Sequence, residues 1–520
     1  MHNEEASYNL VLHFVSSSKF MKTRINALIV EMSKNMYERE NIIALSLLAG
    51  IAGQNTFLFG QPGTAKSLIS RRIAAAFETH SYFEYLMNRF STPEEIFGPV
   101  SIKALKEDQY LRKTEHYLAR ADFAFLDEIW KASPAILNTL LTLVNEKIFK
   151  NGDLIQSVPL NVLMSASNEI PEPNQGLDAL YDRFIVRLVV HPIHETQNFH
   201  ALLQAKPSQH KVELSDNLKI TKAELVNWRE SIYDVELTNF VLKLFDEIKH
   251  RLLENFEDHQ VYVSDRRWQR VAYLVKASAF LNDRTEVLAS DLFILKYCLW
   301  NQEEDITFVA KIIDEVILEL GLNDEFDLDT LIIEKEQLEQ RILMCFYYTD
   351  DVYESYLIQN KEYVRATTNL DHHYQDKTLY LELNKMDSKT DFFAIDATGE
   401  EIRGIVCNFN GARVCTLRGG YYGLEEVVTP YIKYAKGTQR REISIQKKQE
   451  LEQELKILTE KLKTAEQQLK QYFEQKKQHF YSVFIDIQDT ENLVSAVEKQ
   501  LSRYQLQIQD CERLEQLCHH

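Results

Sequence analysis

The feature that most constrains the fold is a glycine-containing loop between a short apolar run and a segment with helical periodicity. The run is Asn55–Phe59, the periodic segment is Leu68–Phe77, and the loop between them is Gly60, Gln61, Pro62, Gly63, Thr64, Ala65, Lys66 and Ser67. A strand, such a loop and a helix form a cradle whose backbone N–H groups and helix N-terminus face an anion. A lysine in this place reaches the β- and γ-phosphates of a nucleotide, and the following hydroxyl binds Mg²⁺. The sequence therefore predicts a nucleotide-phosphate site at residues 60–67.

One position of the loop departs from the usual pattern, because Ala65 stands where a glycine normally precedes the lysine. Glycine lets the backbone approach a phosphate closely, and a methyl group crowds that approach. Alanine is the smallest departure and a good residue for the first turn of a helix. An ordinary strand, turn and helix with a chance glycine and lysine is the alternative interpretation.

A second apolar run, Phe123–Leu126, ends in two carboxylates, Asp127 and Glu128. A buried parallel strand delivers such side chains to the carboxyl edge of the sheet, where open α/β sheets bind ligands. There Asp127 joins the Mg²⁺ shell and Glu128 faces a water beside the γ-phosphate. A buried strand followed by a solvated acidic helix cap is the alternative, and the glycine loop upstream makes it improbable.

A third predicted strand, Leu160–Ser167, ends in Asn168, which is placed to hold the attacking water or the γ-phosphate. Taken alone, an asparagine in this setting is more often a turn residue. Two arginines follow in Ala179–Phe184 and Val263–Trp268, namely Arg183 and Arg266. Arginine alone is weak evidence, since most surface arginines only keep a helix soluble.

Taken in order, these motifs resemble those of a MoxR-family AAA+ ATPase. Phe90–Pro99 is similar to the insert in the second core helix of that family, and Glu146–Gly152 resembles the β-hairpin before its sensor strand. Leu126–Ala132, together with Ala65, is closer still to the RavA subfamily (regulatory ATPase variant A). The alanine in the loop is therefore typical of the subfamily and does not count against function.

The resemblance implies a fold and a set of roles. The fold class is multidomain, with an AAA+ αβα core at residues 1–198 and an all-helical lid at 199–300. Asn168 corresponds to the polar sensor, Arg183 to the arginine finger that completes a neighbour's site, and Arg266 to the lid arginine that contacts the γ-phosphate. The implied cofactors are ATP or ADP with Mg²⁺, and the implied assembly is a homo-hexameric ring. The implied partners are a von Willebrand factor A-domain protein and, through a small β module, inducible lysine decarboxylase.

The net charge and the hydropathy of the chain restrict the classes of partner that we expect. The net charge of −19 disfavours general binding to nucleic acid, which requires neutralised phosphates. This argues against a nucleic-acid motor on the same core, as in the MCM helicases. The longest apolar stretch, residues 42–52, is too short to span a bilayer and predicts a core helix. No apolar region follows a basic start, and the six cysteines form no C-x-x-C pair, so we expect a cytoplasmic protein.

Beyond residue 300 the pattern changes. Phe308–Glu319 and Leu331–Tyr347 predict amphipathic helices of a stalk at residues 301–361. Alternating residues and turn signals then predict a small β-rich module at 362–437. The module carries no catalytic constellation, so it is interpreted as a docking module, with a structural insert as the alternative.

The tail, residues 438–520, predicts a helical hairpin. Leucines at four-three spacing begin at Leu451, a second series begins at Val494, and Asp486–Asn492 breaks the pattern. We expect this hairpin to pack with the stalk, although an oligomerisation element is the alternative. The predicted function is a ring-forming ATPase that remodels or regulates protein partners. A nucleotide-controlled scaffold that assembles partners without force is the alternative.

Overall fold

The computed structural model describes residues 21–78, 81–171, 176–205, 214–254, 261–321, 328–369, 377–411, 413–419 and 424–519. The chain forms two compact units, Met1–Phe326 with Gln468–Ser502 and Asp327–Gln467 with Arg503–His520. Each unit is thus assembled from segments that are distant in the sequence. The predicted division into five domains stays a prediction.

A five-stranded parallel sheet forms the centre of the first unit. Its strands lie in the order β2 (Tyr82–Leu86), β3 (Phe123–Asp127), β6 (Val162–Ser167), β1 (Asn55–Phe59) and β7 (Phe184–Val189). Side chains of β3 and β6 are buried along almost their whole length, as expected where both faces of a sheet are covered. The predicted αβα core is confirmed.

Helices surround this sheet and connect its strands. Residues 21–33 are helical (α1), and the other helices of the core are α2 (Glu40–Ile51), α3 (Lys66–Ala75), α4 (Pro93–Phe97), α5 (Ile102–Leu105), α6 (Pro134–Glu146), α7 (Asp178–Tyr181) and α8 (Thr196–Gln204). Helix α2 is buried on all sides from Ile43 to Ile51, which confirms the prediction of a core helix there.

The predicted insert and hairpin lie against each other. The hairpin consists of β4 (Ile148–Asn151) and β5 (Leu154–Ser157), and Gly152 turns it at φ +64°. Asn151 is nearly buried; its Oδ1 accepts from Arg112 N at 2.6 Å and its Nδ2 donates to Arg112 O at 3.0 Å. Because this side chain satisfies both backbone groups of Arg112, the hairpin and the segment after α5 are held in a fixed register.

Helical residues after the core form the predicted lid. They are α9 (Lys222–Ser231), α10 (Asn239–Glu254), α11 (Asp265–Leu281) and the 3₁₀ segment Ala289–Tyr297. Helix α12 (Asp305–Leu320) follows, within the residues that the sequence pattern assigns to the stalk. Ser264 caps α11 by accepting from Arg267 N at 3.2 Å. Among the residues that the structure describes, no helix has both the length and the apolar character that a membrane crossing requires.

A seven-stranded antiparallel sheet dominates the second unit. Its order is β15 (Leu424–Val428), β14 (Cys415–Gly419), β13 (Glu401–Asn408), β12 (Phe392–Ile395), β11 (Lys377–Glu382), β10 (Lys361–Thr368) and β9 (Ser355–Ile358). A separate pair joins β8 (Val352–Tyr353) to β16 (Ile432–Tyr434). Strands β8 and β9 precede residue 362, where the sequence pattern places the start of the module.

Long helices complete both units: α13 (Leu328–Phe346), α14 (Ile445–Phe480) and α15 (Ile487–His519). The repeat positions Leu451, Leu455, Leu458 and Leu462 are at most 4% exposed, as their spacing predicts. In the second unit Lys463 Nζ lies 3.9 Å from a Glu512 carboxylate oxygen and Lys448 Nζ donates to His519 O at 3.1 Å, so the helices run antiparallel there.

The position predicted for the break between α14 and α15 is wrong. The helices are interrupted at residues 481–486, and residues 487–492 are helical. Asp486 caps α15, because its Oδ1 accepts from Gln488 N at 2.9 Å and its carbonyl accepts from Thr490 N at 3.2 Å. The polar residues after Asp486 are therefore a helix start rather than a loop.

Candidate functional site

A cleft of about 560 Å³ lies at the carboxyl edge of the parallel sheet. It brings together the predicted loop, the lysine, the hydroxyl and the acidic pair. The residues that line it are Pro62, Gly63, Ala65, Lys66, Ser67, Leu68, Arg71, Leu86, Asp127 and Glu128. The position agrees with the rule that open α/β sheets bind ligands beyond the carboxyl ends of their strands.

The loop is curled by residues with positive φ angles. Gly63 has φ +84°, and a Cβ atom there would meet nothing within 4 Å. A Cβ atom on Gly60 would lie 2.4 Å from Val190 O, so only glycine fits where the loop leaves β1. Ala65 has φ 70° and ψ 24°, the left-handed conformation, immediately before α3 begins. An L-residue in this conformation costs about 1–2 kcal/mol, so the loop keeps its curl at the expense of local strain.

The Lys66 side chain folds back onto the loop. Its ammonium donates to Gly60 O at 2.7 Å and to Gln61 O at 2.9 Å, and the residue is 6% exposed. Burial lowers the pKa of Lys66, while the carboxylates of Asp127 and Glu128 oppose that shift. A partly desolvated ammonium held only by carbonyl oxygens would bind an anion in the cleft favourably.

The two carboxylates occupy different environments. Burial raises the pKa of Asp127, while the hydrogen bond from Glu128 N to its Oδ1 at 3.0 Å and the Lys66 charge act in the opposite direction. Glu128 has φ 52° and ψ 41°, and its Oε2 lies 3.0 Å from Lys131 Nζ. The strand therefore ends at Asp127, and a left-handed residue turns the second carboxylate away from the strand direction.

The donor set fits Mg²⁺. Asp127 and the Ser67 hydroxyl line the same cleft, and both supply the hard oxygen ligands that this cation takes. A divalent cation beside Asp127 would also offset the desolvation that raises the pKa of this carboxyl group. Ser67 and Asp127 are therefore the residues that would hold the metal.

Asn168 lies next to the acidic pair but does not line the cleft. It follows β6, whose Ala166 is in register with Asp127 of β3. Its Oδ1 is buried without a hydrogen-bond partner among the described residues. A buried amide oxygen left unpaired costs about 1–3 kcal/mol, so a water or ligand at this position would stabilise it.

Arg183 and Arg266 lie outside the cleft and near each other. The Arg183 guanidinium contacts Asn145 Oδ1 and Ala179 O, and Arg266 is exposed. Burial lowers the pKa of Arg183, and the positive charge of Arg266 lowers it further. The structure thus brings together Lys66, Ser67, Asp127 and Glu128, and neither arginine is among the described residues that line their cleft.

Arg267 has a different role from its neighbour. It is 4% exposed, its guanidinium donates to Asp182 Oδ1 at 2.8 and 3.1 Å, and it also donates to Asn301 Oδ1 at 2.8 Å. The Arg267 guanidinium is therefore engaged in hydrogen bonds within its own unit. Arg266, by contrast, is exposed.

Sequence reasoning missed a buried cluster around Arg187. This residue of β7 is fully buried and donates to the carbonyls of Phe184, Tyr181 and Trp300 at 3.0, 3.0 and 2.5 Å. Burial lowers the pKa of Arg187 to about 9. A single arginine within the apolar run Phe184–Val190 was the available sign, since a charged residue is rare in a buried strand.

The first half of the chain matches known family models. Residues 23–230 match the model described as the MoxR domain in the MoxR-vWA-beta-propeller ternary systems, and residues 240–313 match an AAA lid domain. The second match lies within the helices α10 to α12 and the segment between them.

Two similar proteins come from Methanocaldococcus jannaschii. Uncharacterized protein MJ0079 is 40% identical over 287 residues, which is 55% of this chain and 72% of that protein. Uncharacterized protein MJ0812 is 38% identical over 276 residues, or 53% and 71% of the two chains. A crystal structure from Cytophaga hutchinsonii is 18% identical, covers 59% of this chain and 97% of its own, and has a TM-score of 0.47. The phosphate loop, the acidic strand end and the two matched family models lead to one conclusion: the chain belongs to the MoxR family of AAA+ ATPases.

Proposed function

We propose that this chain binds ATP with Mg²⁺ and hydrolyses it to ADP and phosphate. The observation that carries the proposal is the single cleft in which Lys66, Ser67, Asp127 and Glu128 meet. Phosphoryl transfer needs little covalent help, so positioning and charge neutralisation supply most of the catalysis. Mg²⁺, when bound, would neutralise charge on the phosphates.

Each residue of the cleft has a distinct task in this mechanism. The ammonium of Lys66 exchanges its two carbonyl acceptors for phosphate oxygens, and the loop amides hold the phosphate chain. Glu128 orients and polarises the attacking water, and for this its carboxylate must leave Lys131. Asn168 orients the same water through its amide oxygen, which has no hydrogen-bond partner among the described residues.

Arg183 and Arg266 favour a ring in which subunits share active sites. Arg183 and Arg266 lie close together and outside the cleft of their own chain. We assign Arg183 to the γ-phosphate of a neighbouring subunit, where a finger of this kind contributes about 10³–10⁵ in rate, and Arg266 to the role of the lid arginine that contacts the γ-phosphate. A homo-hexameric ring, as in the RavA subfamily that the loop and acidic motif resemble, satisfies this requirement.

The proposed work of the ring is remodelling or regulation of protein partners in the cytoplasm. The matched MoxR model is named for systems that include a vWA protein, which supports a von Willebrand factor A-domain partner. The β-rich sheet of the second unit is the proposed docking module, for inducible lysine decarboxylase or for another protein. A nucleotide-controlled scaffold is the second candidate, and complete catalytic residues favour turnover over a pure switch.

The deciding experiment compares the wild type with Glu128→Gln. The variant keeps the shape of the side chain and both hydrogen bonds of Lys66, so we expect it to bind ATP, lose turnover and accumulate as the ATP-bound assembly. ATP binding, turnover and assembly mass are measured with and without single-stranded DNA. Normal turnover in the variant contradicts the role of Glu128. If the wild type also shows no turnover, the result supports the nucleotide-controlled scaffold. Stimulation of turnover by DNA supports a nucleic-acid motor.

A further inference from the structure

Tyr181 lies two positions before Arg183 and is 5% exposed. We infer that Tyr181 is a positioning residue that couples the acidic corner of a subunit's own site to the arginine which the same subunit offers to its neighbour. This inference rests on the proposed role of Arg183 in trans. Three sets of contacts carry it.

The first set joins Tyr181 to the turn that follows Glu128. Its ring packs edge-on against Trp130, with centroids 5.7 Å apart and planes at 83°. Trp130 belongs to the single turn Ile129–Lys131, whose lysine contacts the Glu128 carboxylate. Protein cores are close-packed, so a shift of this turn on ATP binding or phosphate release must displace the Tyr181 ring.

The second set prevents Tyr181 from absorbing that displacement alone. Its hydroxyl donates to Asn301 O at 2.9 Å, and the Arg187 guanidinium lies 3.8 Å from the ring centroid. The same guanidinium donates to the Tyr181 carbonyl at 3.0 Å. Ring, hydroxyl and backbone are therefore all held, and a push on the ring is passed to the backbone. A phenylalanine would fill the same space in the core but could not make the bond to Asn301.

The third set carries the displacement to Arg183. The backbone N–H of Arg183 donates to Leu180 O at 3.1 Å, so Tyr181, Asp182 and Arg183 belong to one continuous turn. Asp182 in turn accepts from Arg267 at 2.8 Å and from the Ser264 hydroxyl at 2.8 Å. The backbone of Arg183 is thus fixed by Tyr181 on the core side and by Asp182 on the lid side.

The test uses rings assembled from two variants, because in such rings the nucleotide pocket and the arginine finger at one interface can come from different variants. Lys66→Ala lacks a working pocket and keeps its finger, whereas Arg183→Ala lacks the finger and keeps its pocket. A one-to-one mixture of the two creates a working pocket beside a working finger at about a quarter of the interfaces of a randomly mixed ring. Recovered ATP turnover in this control pair establishes the trans arrangement.

Tyr181→Leu is then mixed with each of these variants. Alone it should retain ATP binding and lose on the order of 10- to 100-fold in turnover, since a misplacement of about 1 Å has this effect on catalysis. We expect turnover to recover with Lys66→Ala, which supplies an intact finger, and not with Arg183→Ala, which supplies only a pocket. Phe83→Leu is the matched control, because it removes a ring from the same hydrophobic core away from Arg183 and should keep wild-type turnover.

Tyr181→Phe keeps the ring, removes the hydroxyl that donates to Asn301, and protects the test against misfolding of the leucine variant. It should show the same asymmetry with a loss of about fivefold, the effect of one hydrogen bond. Recovery with Arg183→Ala but not with Lys66→Ala would place the defect in the subunit's own pocket and overturn the inference. Recovery with both or with neither in the phenylalanine variant would overturn it as well. Failure of the control pair itself would instead refute the trans role of Arg183, and the inference with it.

Discussion

The parallel sheet of the first unit and the antiparallel sheet of the second bury their side chains in different ways. Strand β6 is buried at every residue, and β3 is buried up to Leu126. Strands β10 and β14 instead alternate between buried and less buried residues, such as Cys415 and Leu417 against Thr416 and Arg418. The first pattern requires cover on both faces, and the second requires it on one face only.

This difference decides where chemistry is concentrated. A strand covered on both faces can present polar groups only at its end, and Asp127, Glu128 and Asn168 occupy the ends of β3 and β6. A strand with one open face presents polar side chains along its whole length, as the Arg418–Glu425 pair does between β14 and β15. The first arrangement suits a buried catalytic site, and the second suits a surface for recognition.

The largest expected effect comes from the loop of the parallel sheet. Lys66→Ala removes the only ammonium among the residues that line the cleft, and we expect nucleotide affinity to fall on the order of 100-fold or more. Arg418→Ala is the matched control, because it removes an exposed cation whose pair with Glu425 contributes about 0–1 kcal/mol. Binding of a fluorescent ATP analogue measures both. Equal affinities of the two variants for the ATP analogue would mean that Lys66 contributes no more to nucleotide binding than an exposed arginine of the antiparallel sheet.

The sequence predicts the site better than it predicts what surrounds it. Strand, loop and acidic pair are local patterns, and the structure places them in one cleft as expected. The cluster of Tyr181, Arg187 and Asn301 depends on bonds between residues more than 100 positions apart, such as the one from Tyr181 to Asn301. Local periodicity contains no information about such pairs.

Two differences from the sequence pattern in the second half of the chain have local causes. The hairpin from β9 to β10 turns before residue 362, at Gln359 and Asn360, which have φ 49° and 61°, so no glycine marks it. The segment after Asp486 is polar and was interpreted as a break, but it is the capped first turn of α15. In both places the turn chemistry differs from the commonest sequence signal.

A matched pair of leucines sharpens the comparison at the level of stability. Leu126 and Leu417 are both fully buried in strands, one in each sheet. We expect alanine at either position to destabilise its own unit by about 2–5 kcal/mol. Only Leu126→Ala should also lower ATP turnover, because its neighbours are Asp127 and Glu128.

Chemical denaturation with an ATPase assay below the transition separates these two effects. The fraction of folded protein is matched between the variants before turnover is compared, so that a loss of activity reports the site and not unfolding. A loss of turnover in folded Leu417→Ala would show that the antiparallel sheet takes part in catalysis. That result would contradict the assignment of catalysis to the parallel sheet.

A smaller effect is expected at the strained residue of the loop. Ala65→Gly removes a Cβ atom from a backbone at φ 70° and should raise the free energy of unfolding by no more than about 1 kcal/mol. Asn410→Gly provides the counterpart in the second unit, at φ 51°, where asparagine tolerates this conformation and the change should be smaller still. Thermal unfolding measures both, and a destabilised Ala65→Gly protein would mean that the methyl group packs favourably.

The smallest expected effect on turnover is the removal of the antiparallel sheet itself. Strands β8 and β16 pair with each other, Tyr353 opposite Ile432 and Val352 opposite Tyr434, so the two ends of the module lie on adjacent strands. Adjacent antiparallel residues have Cα atoms about 4.5–5.5 Å apart, a gap that a short Gly/Ser linker closes at little entropic expense.

The deletion should therefore remove residues 352–434 as a whole. A cut at residue 362 would leave β8 and β9 without their partners and expose apolar surface. Because the first unit contains none of the deleted residues, ATP turnover and assembly mass should stay within about twofold of the wild type. Binding to the partner protein should disappear, which pull-downs with full-length and deleted chains compare. Collapse of turnover would mean that the sheet is structural, and an unchanged set of partners would move recognition to the helices α13 to α15.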